Sequence, residues 1–276
     1  MQTRLDPDRA APGGFTRLEL LVVLLMLALL TLVARPVRGA GGSVKTAVCM
    51  ENLRRLTAAW LLYAQDNNGR MAGNYSGMFV PAPGAAERPW ATGWLDWTSA
   101  SDNTNTVYLT DPRYAVLTTY TGRDASLYPC PGDGYVSTQQ LSRGWLRRVR
   151  SYAMNCYVGE GNAANGPIDA SYPIVTKLTG FGSLPPQNTF VFTEEHPDSI
   201  NDPMLYTSMS AWQWIDLPAA FHEGAGSFAF ADGHHEIHAW RNATTLKPVT
   251  LGTFAMVPLT PNDVDLAWVR ARTAAR

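Results

Sequence analysis

GGFTRLELLVVLLMLALLTLVARP, residues 13–36, is the stretch on which the fold turns. From Phe15 to Ala34 the only ionisable side chains are Arg17 and Glu19. As a helix rising about 1.5 Å per residue, this run reaches roughly 30 Å, the thickness of a bilayer's hydrocarbon core. Residues 15–34 therefore read as a transmembrane helix, and Arg4 and Arg9 place its N-terminal side in the cytoplasm. A secretory signal has a shorter apolar core, with small residues after it. Here the small residues, Gly13 and Gly14, come first. A cut after Gly14 leaves the apolar helix on the product, with a new amine at Phe15, four residues before Glu19. An ionised carboxylate in hydrocarbon is costly without a partner, which marks Glu19 as a functional residue.

Composition narrows the remainder. The chain has 276 residues, 46% hydrophobic and 16% charged, enough to bury a sizeable core. Its formal net charge is −1 and no like-charged block occurs, so nothing favours a nucleic acid partner. Three cysteines, Cys49, Cys130 and Cys156, allow one disulfide, and no pair has the close spacing of a structural zinc motif.

Working outward, residues 1–14 form a leader and Pro36 with three glycines makes residues 35–42 a flexible joint. Residues 43–68 read as an amphipathic helix. Ser43 is its N-cap, Cys49, Leu53, Leu56, Trp60 and Tyr63 form one stripe, and Gly69 suits a left-handed C-cap. Residues 69–276 form a globular β-rich domain in which "GYVST", "NTFVFTEE", "GSFAFADG" and "HEIHAW" read as strands of a mostly antiparallel sheet. Trp90, Trp94 and Trp97 lie in a loop-rich stretch, as core filler or as an aromatic platform for sugar. A last short helix begins at Asn262 as N-cap.

Four of five histidines, at 222, 234, 235 and 238, fall near the C-terminus. With His196 they suggest a metal set of Glu195, His196, Asp198, His222, Asp232 and His234, holding zinc or calcium and, in one reading, serving a metal-dependent hydrolase. No nucleophile elbow, phosphate loop or zincin signature accompanies them, and histidines on a polar strand face need no metal, so the chain reads as a non-enzyme with no cofactor, the zinc or calcium set being the alternative. Asp232–Gly233 suits a tight turn between strands, and His222 is placed to hydrogen-bond the Asp232 carboxylate and hold that turn.

"GFTRLELLVVLLMLALL" resembles the N-terminus of type IV prepilins and type II secretion pseudopilins at Gly14, Phe15, Thr16, Glu19 and Leu20, although Pro12–Gly13 stand where a basic residue commonly precedes the glycine. His222, nine residues and Asp232–Gly233 resemble the C-terminal H-x9-D-G motif of a prepilin-like group, the DUF1559 group, as do "YPCPGD", "SYAMN" and "EEHPDSIND". The resemblance implies an α+β, pilin-like fold: a long N-terminal helix, transmembrane then amphipathic, packed on an antiparallel sheet with long loops. It implies cleavage and N-methylation by a prepilin peptidase between Gly14 and Phe15, and pairing of Glu19 with a neighbouring subunit's amine. The expected product is a structural subunit of a type II secretion or type IV pilus-like filament. Its expected partners are other pilin or pseudopilin subunits, an inner-membrane assembly platform and membrane lipid. A single-pass inner-membrane location with a periplasmic or extracellular domain follows. An alternative is a subunit whose C-terminal loops bind polysaccharide or metal. Cys49 and Cys130 both lie in segments typical of the group, which implies a disulfide between them; Cys130–Cys156 is the rival.

Overall fold

The structure, a computed structural model, describes residues 16–33, 44–82, 84–161 and 168–276. The leader, the Gly14/Phe15 cleavage pair, the joint at 35–42 and Ser43 lie outside the described residues. The chain divides into two compact units, residues 1–41 and 42–276.

The first unit corrects the membrane reading. Its helix, α1, spans Arg17–Val33, 17 residues, about 25 Å at 1.5 Å per residue. Arg17 and Glu19 occupy the first turn, so the uninterrupted apolar run is shorter still. No helix among the described residues is long and apolar enough to cross a membrane. The transmembrane helix over 15–34, the single-pass inner-membrane location derived from it and the pilin-like architecture led by one long N-terminal helix are all withdrawn on that ground. What the chain forms is an α+β fold around a five-stranded sheet.

In the second unit, α2 spans Val44–Asp66 and buries Cys49, Leu53, Leu56, Trp60 and Tyr63 along one stripe. The chain then turns: Gly69 takes φ +77° and donates its N–H to the Ala64 carbonyl at 2.8 Å. Two one-turn helices follow, α3 (Val107–Thr110) and α4 (Thr138–Ser142). The strands are β1 (Tyr152–Asn155), β2 (Phe190–Glu194), β3 (Met204–Leu205), β4 (Gln213–Trp214), β5 (Ala225–Phe230), β6 (His235–Ala239) and β7 (Val257–Pro258). A C-terminal helix, α5, spans Val264–Thr273.

The main sheet runs β3-β1-β2-β5-β6. Its β1–β2, β2–β5 and β5–β6 pairs are antiparallel, whereas β3 joins β1 in parallel, so the sheet is mixed. Two local expectations shift. "GYVST" forms no strand, because Ser137 caps α4 in a reciprocal box with Gln140, which competes with pairing. The cap of α5 is Asp263, which accepts from the Asp265 and Leu266 amides, while Asn262 takes φ +66°, a conformation asparagine tolerates.

Side-chain size on β5 sets the layers. Ala229 and Ala231 belong to the core shared with α2, and Ser227 lies against Cys49 of that helix. Phe228 and Phe230 fill the opposite core with Leu266 and Val269 of α5. Small residues on one side let α2 approach the sheet closely, and aromatic ones on the other fill the wider gap. Between Phe190 and Phe192 the β2 register shifts, sending Phe190 to the α5 side and both Val191 and Phe192 to the α2 side. Beyond that shift, Glu194 shares the α2 side with Phe192.

Truncating Trp60, which is fully buried between α2 and the sheet, is expected to cost about 3–5 kcal/mol in urea unfolding. Leu62→Ala on the exposed face of the same helix should change stability by less than about 0.5 kcal/mol. Comparable losses for both would mean that α2 does not anchor this core.

Candidate functional site

The early turns of α2, the start of β1, the end of β2 and the start of β5 converge on one buried cluster. Among the described residues, Cys49, Cys130, Glu194 and His222 alone bring three or more metal-ligating side chains together, each offering one ligand atom, all within 4.8 Å of one another. Every one of the four is buried.

Glu194 is at its centre. Its side chain is wholly buried, and a carboxylate there is costly unless it is paired and hydrogen-bonded. Oε1 lies 2.6 Å from His222 Nε2 and accepts from the Cys49 thiol at 2.6 Å; Oε2 accepts from the Ser227 amide at 2.9 Å. Burial alone would raise its pKa, but hydrogen bonds from His222, Cys130 and Cys49, with the His222 charge, hold it below the usual range. Burial likewise pulls His222 down, yet its contacts with Cys49 and Glu194 lift it to about 10. Both shifts favour the ion-paired form of Glu194 and His222.

Each remaining member has a defined support. His222 Nδ1 meets Thr46 Oγ1 at 3.0 Å, and His222 Nε2 lies 3.8 Å from Cys130 Sγ. Cys49 Sγ sits 3.0 Å from the Tyr152 hydroxyl and 3.4 Å from the Ser227 hydroxyl. Cys130 Sγ accepts the Gly132 amide at 3.2 Å. The loop carrying Cys130 is tied down in turn: its amide donates to Ser151 Oγ at 3.0 Å, and that hydroxyl donates to the buried Asp133 carboxylate at 2.8 Å. Burial pushes the Cys130 thiol up, while the Cys49 thiol, also penalised by burial, is drawn down by hydrogen bonds from Cys130 and His222.

The metal set expected from sequence is dispersed, and of its six residues His222 alone belongs to the cluster; Cys49 and Cys130, expected as a disulfide, also meet there. Glu195, one residue along and so on the other side of the strand from Glu194, accepts from the Ser199 hydroxyl at 2.7 Å. His196 uses both ring nitrogens, Nδ1 accepting the Asp198 amide and Nε2 meeting the Lys247 carbonyl. Asp198 holds the Thr250 and Leu251 amides. Asp232–Gly233 form the turn between β5 and β6, with Gly233 at φ +97°. The Asp232 carboxylate, however, pairs with His234 Nδ1 at 2.6 Å, not with His222. His238 stacks on Trp268 of α5, ring centroids 3.7 Å apart. None of the three cysteines is in a disulfide: Cys49 and Cys130 share the cluster without an S–S bond, and Cys156 packs with Tyr157, Met204 and Tyr206. Glu194 is the cluster member absent from the sequence expectations; its one local signal is its place two residues after Phe192 on β2.

Of the tryptophans, Trp90 is core, whereas Trp94 and Trp97 line a cleft of about 540 Å³ with Asp96, Asp198 and Phe254. The Arg148 guanidinium lies 4.0 Å over the Trp97 ring. Glu19 caps its own helix: Glu19 accepts from the Thr16 amide at 2.8 Å and donates its own amide to Thr16 Oγ1 at 3.2 Å. Those hydrogen bonds from Thr16 draw its pKa below the usual value. The chain matches no family model, no curated protein and no solved structure.

Replacing Glu194 by Ala leaves His222 buried without its counter-charge, and about 3–5 kcal/mol of stability should be lost on chemical unfolding. Asp232→Ala, removing an exposed pair in a turn, should cost less than about 1 kcal/mol. The opposite order would make Asp232 the partner of His222.

Proposed function

We propose that this protein is a structural subunit of a prepilin-type filament, cleaved between Gly14 and Phe15 by a prepilin peptidase, with α1 packing against α1 of other subunits. One observation carries this reading. From Leu18 to Met26, every described apolar side chain of α1 is between 45% and 72% exposed, all round the helix. A helix apolar on all sides is stable in water only when neighbours surround it. Helices of other copies, in a bundle, supply such neighbours, and the same segment carries the prepilin-like pattern. Glu19 stands at the exposed first turn, where an amine created at Phe15 of an adjacent subunit gives it a counter-charge.

The chain recovered from its native cells should begin at Phe15, by N-terminal sequencing and intact mass. Glu19→Ala should be cleaved at a normal rate yet fail to enter filaments. A chain beginning at Met1 would refute processing, and normal assembly of the variant would refute the role of Glu19.

A second reading, polysaccharide binding by the loops, has the cleft lined by Trp94 and Trp97 in its favour. It predicts saturable quenching of tryptophan fluorescence when soluble polysaccharides are titrated in, weakened at least tenfold by Trp94→Ala. Flat titrations would remove it.

A further inference from the structure

We propose that Cys49, Cys130, His222 and Glu194 form a structural zinc site that pins α2 to the sheet. This inference is independent of the filament reading.

The donor set is the first argument. Two sulfurs, an imidazole nitrogen and a carboxylate oxygen are the ligand types of tetrahedral zinc, and the two sulfurs select against calcium, which takes oxygen ligands. Their mutual separations are the second. Zinc bonds of about 2.0–2.3 Å place ligand atoms about 3.3–3.8 Å apart along the edges of a tetrahedron. The Cys130 Sγ to His222 Nε2 distance, 3.8 Å, is already such an edge, and all four ligand atoms fit within 4.8 Å. The two 2.6 Å contacts at Glu194 Oε1 must widen by about 0.7–1 Å, a movement within reach of one carboxylate side chain.

The outer contacts are the third argument, because they favour the metal-binding form of each ligand. Thr46 Oγ1, 3.0 Å from His222 Nδ1, holds the ring so that Nε2 faces the cluster. The Gly132 N–H can only donate, so Cys130 Sγ is placed as an acceptor. The Tyr152 and Ser227 hydroxyls can donate to Cys49 Sγ, and the Ser227 amide donates to the free oxygen of Glu194. Amide donors thus face Cys130 Sγ and the second oxygen of Glu194. Binding of a dication would release three protons to solvent, two from the thiols and one from a protonated imidazole, and would leave one net negative charge for those amides to face.

The fourth argument is topology. Cys49 comes from α2, Cys130 from the connection between α3 and α4, Glu194 from the end of β2 and His222 from the turn before β5. One ion would cross-link four segments across more than 170 residues of chain, and no side remains open, which is the form of a structural centre and not a catalytic one. The histidine of the H-x9-D-G motif then has a task distinct from that of its Asp-Gly turn: one end of β5 holds metal and the other reverses the chain.

The test uses the full chain purified without chelator. Elemental analysis should find about one zinc per chain. Replacement by Co²⁺ should give the near-ultraviolet thiolate-to-cobalt band and the visible bands of tetrahedral cobalt. Cys130→Ser and His222→Asn should lower zinc affinity at least tenfold against a chromophoric chelator, and Thr46→Val about tenfold, as expected for an outer partner. Cys156→Ser and His196→Asn should leave it unchanged. If the ligand variants fail to fold, the wild-type chain still decides: titrating its thiols with a mercurial should release zinc in step with modification of Cys49 and Cys130. A folded chain that takes up no zinc from metal-buffered solution would overturn the site. So would a Cys49–Cys130 disulfide in the folded chain, or zinc retained at full affinity by Cys130→Ser.

Discussion

The structure depends on how a carboxylate is kept in the layer between α2 and the sheet. Glu194 has no exposed surface, and the surrounding core is apolar. In such surroundings a lone negative charge is far more costly than the whole margin of stability of a typical domain. The fold meets this by bringing His222, two cysteines and the Ser227 amide to one point, and each of these requires its own segment to arrive in register. Helix, sheet and two long loops are thereby fixed relative to one another, a specificity that hydrophobic contact alone does not supply.

Side-chain volume does the complementary work. On β5 the residues facing α2 are small and those facing α5 are aromatic, so one strand sets different spacings on its two sides. The close approach on the α2 side is what puts Cys49 within reach of Ser227 and Glu194. A larger residue at 227 would push the helix outward and leave Glu194 without its thiol partner.

Periodicity made the second helix, the β2, β5 and β6 segments and the turn at Asp232–Gly233 readable from sequence, because those signals are local. The cluster was not readable, because its members come from positions 49, 130, 194 and 222 and no spacing joins them. The clustered histidines do not act together: His234 and His235 take opposite sides, and His238 packs on Trp268. Glu195 follows Glu194 in the strand and so faces the other side, where it accepts from the Ser199 hydroxyl. At the N-terminus the helix is 17 residues long and Arg17 and Glu19 occupy its first turn, which shortens the run available to lipid.

The two features that remain at the N-terminus constrain each other. Glu19 is hydrogen-bonded within its own helix by Thr16, so it does not need a second subunit merely to be satisfied in water. Its position matters once α1 is surrounded. A two-helix contact covers a single stripe, whereas the apolar side chains from Leu18 to Met26 are exposed around the whole circumference, so covering them takes several neighbours. In a bundle of that kind the dielectric around the first turn falls, and the hydrogen bonds from Thr16 no longer balance a full charge. An amine from the next subunit would balance it at one axial stagger only. Thr16 thus holds the carboxylate of Glu19 in place on the lone subunit, and in the proposed filament that same carboxylate would mark the register.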